Sequence, residues 1–143
     1  MSSTRDLVKK TFNSLQIKHG FITVLKEVKL DKGYMMKFDS ENNAILFDPQ
    51  RIDENFEQGL RYGVYRGYNI EKLILFAVLH ELGHYYDYQN NPRAFYIGSK
   101  AEYILMELNG MEYAKKLVPP EMTQDFHEFN QIILESYKRD LPE

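Results

Sequence analysis

Leu7, Val8, Thr11, Phe12 and Leu15 recur at helical spacing within residues 4–18, and Gly20 stands where a C-terminal cap belongs. The pattern then changes. Phe21–Val28 is rich in β-branched residues and predicts a strand, Asp31-Lys-Gly33 a turn, and Tyr34–Phe38 a second strand. Asp39–Asn43 is another turn cluster, followed by the short strand Ala44–Phe47, closed by Asp48-Pro49. Tight turns between successive strands predict an antiparallel three-stranded meander. Helical spacing returns with Ile52, Phe56 and Leu60, for a helix over about 50–62. Asn69 is a good N-cap for a longer helix that runs to about Gln89, where Asn90-Asn91-Pro92 stops it. Ser99–Val118 predicts a further helix, ended by Pro119-Pro120, and Thr123 caps a last one that packs through Phe126, Phe129, Ile133 and Tyr137. The layout is a single α+β domain over residues 1–143, with a small antiparallel three-stranded sheet packed against a central helix and further helices.

Composition narrows this only a little. At 143 residues the chain can bury a real core, and 43% hydrophobic with 27% charged residues is an ordinary globular balance that needs no staples. The absence of cysteine excludes disulfides, Cys-ligated zinc, iron–sulfur clusters and thiol nucleophiles, and fits a reducing compartment. A net charge of −3 without a basic stripe gives nucleic-acid binding no electrostatic support. The N-terminus lacks the apolar core of a signal peptide, and Leu73–Leu79 is too short to span a bilayer. A cytoplasmic protein without membrane partners is expected.

The helix of residues 70–89 carries the chemistry. One stripe holds Leu75, Leu79, Leu82 and Tyr86, another Ile74, Val78 and Tyr85, so it is apolar on most sides, as a buried helix should be. Yet His80, Glu81, His84 and Asp87 stand in its middle. Burying such groups costs several kcal/mol unless they are hydrogen-bonded, paired or bound to a metal. His-Glu-x-x-His is a zinc arrangement: the i, i+4 spacing stacks two imidazoles on one face, and the intervening glutamate projects beside the metal. There Glu81 can take a proton from a water activated by the metal, while Gly83 leaves room for another element to pack closely. About one Zn2+ per chain is expected, held by His80, His84 and a third ligand.

No third histidine follows His84 closely, so a carboxylate from the next helix is the natural substitute, with Glu102, Glu107 and Glu112 competing. Glu107 is favoured: Tyr103, Ile104, Gly110 and Met111 surround it at helical spacing, and a carboxylate in that apolar stripe faces inward. Glu112 neighbours Leu108, Asn109, Lys115 and Lys116, a mixed face that suits a solvated ion pair. Glu102, close to the helix start, suits the dipole. Asp87 is expected to orient a ligating imidazole, with direct ligation as its alternative role.

His80-Glu-Leu-Gly-His84, with an upstream strand and a downstream Glu-bearing helix, resembles the small metallopeptidases of the ImmA/IrrE type in the wider gluzincin class. Family members typically carry Glu-x-Glu-Ala-Asn-x-Phe-Ala-Ala-x-Leu-Leu-x-Pro after the zinc helix. The segment from Glu107 to Pro120 matches that outline at Glu107, Tyr113, Ala114, Leu117, Val118 and Pro120, and departs from it at Asn109, Gly110 and Met111. The resemblance spans about residues 42–120. It implies a zincin-like minimal metalloprotease fold and a hydrolase acting on a protein or peptide substrate, transcription regulators among them.

Other features carry less. Ala44–Phe47 would sit at the sheet edge beside the cleft, where Ile45 and Leu46 could pair with a substrate strand. Tyr85, Tyr86 and Tyr88 lie near the motif, and one of them could donate to an oxyanion. His127 fits the surface and His19 a helix C-terminus. Three functions follow in order: a zinc peptidase with Glu81 as general base, a non-catalytic zinc-binding interaction module, and a zinc hydrolase acting on a non-peptide bond. An intact Glu81 separates the first from the second, since a purely structural site needs no base.

Overall fold

The computed structural model describes residues 3–92 and 98–140. Two compact units divide the chain, one ending at Val78 and the other beginning at Leu79. The architecture is α+β, with five α-helices and one three-stranded sheet among the described residues. None of these helices is long and apolar enough to cross a membrane.

The first unit opens with α1 (Thr4–His19), capped by the Ser3 side chain, which accepts from the Asp6 N–H. α1 ends at Gly20, where φ is 69° and the N–H donates to the Gln16 carbonyl (2.8 Å). Glycine enters this left-handed conformation without a Cβ penalty, so the chain reverses there. The Gln16 side-chain amide donates to the carbonyls of Phe21 and Thr23, and Phe12 meets Phe21 edge-on at 5.2 Å, which anchors the reversed chain. Three short strands follow: β1 (Val24–Glu27), β2 (Met36–Asp39) and β3 (Ala44–Phe47).

The strands do not form the expected antiparallel meander. β2 and β3 make an antiparallel hairpin with Phe38 opposite Ile45. Its turn is set by Asp39, whose carboxylate accepts from the N–H groups of Glu41 and Asn42. β1 instead pairs with β3 in parallel, Leu25 beside Ile45, and the sheet is mixed with the order β1-β3-β2. The cause lies in residues 28–35. Buried Asp48 accepts from the Leu30 N–H (2.9 Å) and donates its own N–H to the Met35 carbonyl (3.2 Å), while Arg51 Nε donates to the Leu30 carbonyl (3.0 Å). These bonds carry the connection across the end of β3, so it cannot close as a short hairpin against β1. The expected edge position of β3 is corrected with it. Both sides of β3 are paired, Ile45 is fully buried, and neither Ile45 nor Leu46 offers a free ladder to a substrate strand.

Asp48 also caps α2 (Pro49–Arg61), accepting from the Gln50 N–H, with Pro49 at the first helical position. Asn69 caps α3 (Ile70–Asn90), accepting from the Lys72 N–H at 2.8 Å. Leu73, Ile74, Phe76 and Val78 of α3 are fully buried.

The second unit holds the rest of α3, then α4 (Lys100–Lys115) and α5 (Thr123–Asp140), the last two separated by a 3-10 turn at Pro120–Met122. Ser99 caps the start of α4: its hydroxyl oxygen accepts the Glu102 N–H and the hydroxyl donates to the Glu102 carboxylate. α4 and α5 run antiparallel, since Lys100 Nζ donates to the Lys138 carbonyl (2.7 Å) and Tyr103 meets Tyr137 edge-on at 5.1 Å. Leu82, Ala114, Phe126 and Phe129 centre the core of this unit.

Candidate metal centre

One turn of α3 separates His80 from His84, and their rings stand edge-on with centroids 5.0 Å apart. Both are buried, at 4% and 5% exposure. α4 supplies the third group. Glu107, 2% exposed, places one carboxylate oxygen, Oε2, 3.1 Å from Nε2 of His80 and 3.1 Å from Nε2 of His84. This convergence depends on how closely the two helices approach. A Cβ on Gly83 would lie 2.1 Å from the Gly110 carbonyl oxygen, and a Cβ on Gly110 would lie 2.7 Å from Nδ1 of His84. Real Cβ contacts are essentially never under 3.0 Å, so only glycine at both positions permits this spacing.

α5 adds Asn130, 6% exposed, with Oδ1 3.4 Å from Nδ1 of His80. An Nδ1–H donating to this oxygen turns Nε2 toward the centre, the orientation a metal ligand requires. Electrostatics bind the group together without any metal. Burial acts to lower the pKa of His80, but the hydrogen bond and charge of Glu107 outweigh it and raise the imidazole to about 9. Burial acts to raise the pKa of Glu107, but the charge of His84 and the hydrogen bonds from both imidazoles hold it well below the usual carboxylate range.

The donor set fits a divalent cation. Among the described residues, only His80, His84 and Glu107 form a group of three or more potential ligands whose binding atoms all lie within 4.8 Å of one another. Tetrahedral ligands on bonds of 2.0–2.1 Å sit roughly 3.3 Å apart, close to the separations between Nε2 and Oε2 here. Two imidazoles and one carboxylate suit a first-row divalent metal, which would take the place of the shared protons.

The remaining candidates fall in different places. Glu81 is half-buried beside the histidines, and its charge contributes to the raised pKa values of His80 and Tyr137. Asp87 is buried, its pKa raised by that burial against the opposing charge of His84. Its Oδ2 has no hydrogen-bond partner among the described residues, and the observed polar partner of a site imidazole is Asn130. Glu112 is exposed and lies 3.8 Å from Lys115, while Glu102 serves the α4 cap. Tyr85 is buried, Tyr86 and Tyr88 half-buried, and His127 is on the surface.

Two residues escaped the sequence reading of the site. Asn130 is one; the signal was present, because a polar residue next to Phe129 on a packing stripe needs a partner. Tyr137 is the other, read only as packing. Burial, then the charges of Glu107, Tyr103 and Glu81, push its phenol far above its ordinary value, so it stays protonated as a donor near both glutamates. Compared with known proteins, the chain matches no family model, no curated protein and no solved structure.

Proposed function

We propose that the protein is a zinc-dependent metallopeptidase of the zincin type, akin to the ImmA/IrrE-type enzymes that its motif resembles. One observation carries this reading: His80, His84 and Glu107 converge in the interior with Glu81 next to the first histidine on the same helix. Zinc held by the three ligands would acidify a water and polarise a scissile carbonyl. Glu81 would serve as the general base toward the attacking water and as the proton donor to the leaving amine. Asn130 keeps the His80 ring turned toward the centre. A regulatory protein as substrate rests on the resemblance alone.

Replacing Glu81 with Gln tests the mechanism. The amide keeps the shape but cannot accept the proton, so zinc content should stay parental while peptide hydrolysis falls by about 10²–10⁴. Parental cleavage by the variant refutes the mechanism. If wild type binds zinc but cleaves no member of a peptide library, the non-catalytic metal-binding module replaces this reading.

A further inference from the structure

We infer that a cavity of about 510 Å³ at the C-terminal end of α3 is a binding site for a guanidinium group, such as the arginine side chain of a bound polypeptide. The cavity is lined by Asp87, Asn90 and Asn91 from the end of α3, and by Asn109, Glu112 and Tyr113 on the facing stretch of α4, with Lys116 at its rim. At its wall lies an unsatisfied acceptor. Asp87 is 2% exposed, and its Oδ2 is buried without a hydrogen-bond partner among the described residues. A carboxylate oxygen buried in this way calls for a donor that none of the described residues supplies.

The surroundings specify which donor. The Asn90 side-chain amide donates to the Tyr86 carbonyl (2.8 Å), which leaves its Oδ1 as an acceptor. The cavity adjoins the carbonyl end of a long helix, and that end of the macrodipole favours a cation. Asp87 and Glu112 outnumber the single basic lining residue, Lys116, whose ammonium lies over the Tyr113 ring at 5.2 Å. A bare metal ion fits poorly: among the described residues no third His, Asp or Glu joins these carboxylates within ligand distance, and the volume far exceeds one ion. A planar fork with five N–H donors matches acceptors spread over two helices better than a compact ammonium does. Asp87 follows His84 by less than one turn, so a chain lying across the metal centre would reach this cavity with a neighbouring side chain. That use as a specificity subsite rests on the peptidase reading; the binding itself does not.

The test titrates the full chain with Nα-acetyl-L-arginine amide and with its uncharged citrulline counterpart, followed by NMR shifts or calorimetry. Saturable binding of the arginine derivative is expected, roughly tenfold or more weaker for citrulline and for Asp87→Asn, because a hydrogen bond to a charged group is lost in each. Glu112→Gln changes an exposed position, folds normally, and should weaken binding severalfold, which keeps the test decisive if Asp87→Asn is unstable. Equal binding of the two derivatives, no saturable binding, or parental affinity in a folded Asp87→Asn overturns the assignment. So does stoichiometric displacement of the arginine derivative by calcium or magnesium. If the arginine preference holds while no peptide is cleaved, the peptidase reading falls and this site stands.

Discussion

Gly83→Ala should damage the protein out of proportion to the single methyl it adds. In the present structure that Cβ would sit 2.1 Å from the Gly110 carbonyl oxygen and 2.9 Å from the Ala114 Cβ. Ordinary contact begins at 3.4 Å, so the α4 backbone must retreat by about 1.3 Å. The obstacle is a helix carbonyl rather than the tip of a flexible side chain, so it cannot swing aside. Overpacking of this kind costs about 1–3 kcal/mol, and the better helix propensity of alanine returns only about 1 kcal/mol. The expected net result is a melting temperature several degrees lower. The metal site should suffer more, because Glu107 rides on α4 and its 3.1 Å approach to both histidines depends on that spacing. Zinc affinity should fall by about an order of magnitude or more, as about 1.4 kcal/mol of lost ligand geometry would produce. Thermal denaturation with and without chelator, together with competition against a chromophoric chelator, reads both effects. Gly98→Ala is the control, since among the described residues a Cβ there meets only Glu102 Oε1 at an ordinary 3.6 Å. A Gly83→Ala protein with parental melting temperature and zinc affinity would refute the argument that glycine sets the helix spacing.

Glu107→Ala should abolish stoichiometric zinc binding in an equilibrium dialysis measurement, whereas Glu112→Ala, at an exposed position loosely paired with Lys115, should bind as the parent does; the opposite pattern would transfer the ligand role to Glu112. For the chelated protein, pH acts through two groups of opposite sign. The folded pKa of His80 is raised from 6.5 to about 9, so its contribution, at most about 3 kcal/mol, is complete below pH 6.5 and is lost as pH rises through 9. The folded pKa of Glu107 is depressed below 4.5, so its contribution is complete above that value and is lost as pH falls. As far as these groups decide, the chelated protein is most stable between about pH 4.5 and 6.5. Zinc needs the imidazoles deprotonated, so the rise in melting temperature on adding zinc should grow from about pH 6 to 8; a rise that shrinks over that interval would contradict the coupling.

The sequence alone determined what depends on neighbours within a few positions. Ala44–Phe47, the Gly20 cap, the Asn69 cap and the course of α3 follow from side-chain periodicity and capping chemistry, which act over one or two turns. The same short range made His80 and His84 legible as a stacked pair, and the apolar neighbours of Glu107 marked it as inward-facing. Tertiary structure decided the rest through bonds between distant residues. The parallel pairing of β1 with β3 turns on Asp48 holding Leu30 and Met35, a constraint that no alternation of hydrophobic residues records. Strand ends also shifted inward from Phe21 and Tyr34 to Val24 and Met36, because ladder bonds and not β propensity set where pairing begins. Asn130 reached His80 only because α5 folds back along α4, and among the described residues that packing leaves Asp87 Oδ2 buried without a partner. Periodicity tells which face of a helix is buried; which atom meets which across two helices depends on their spacing, and here a pair of glycines sets it.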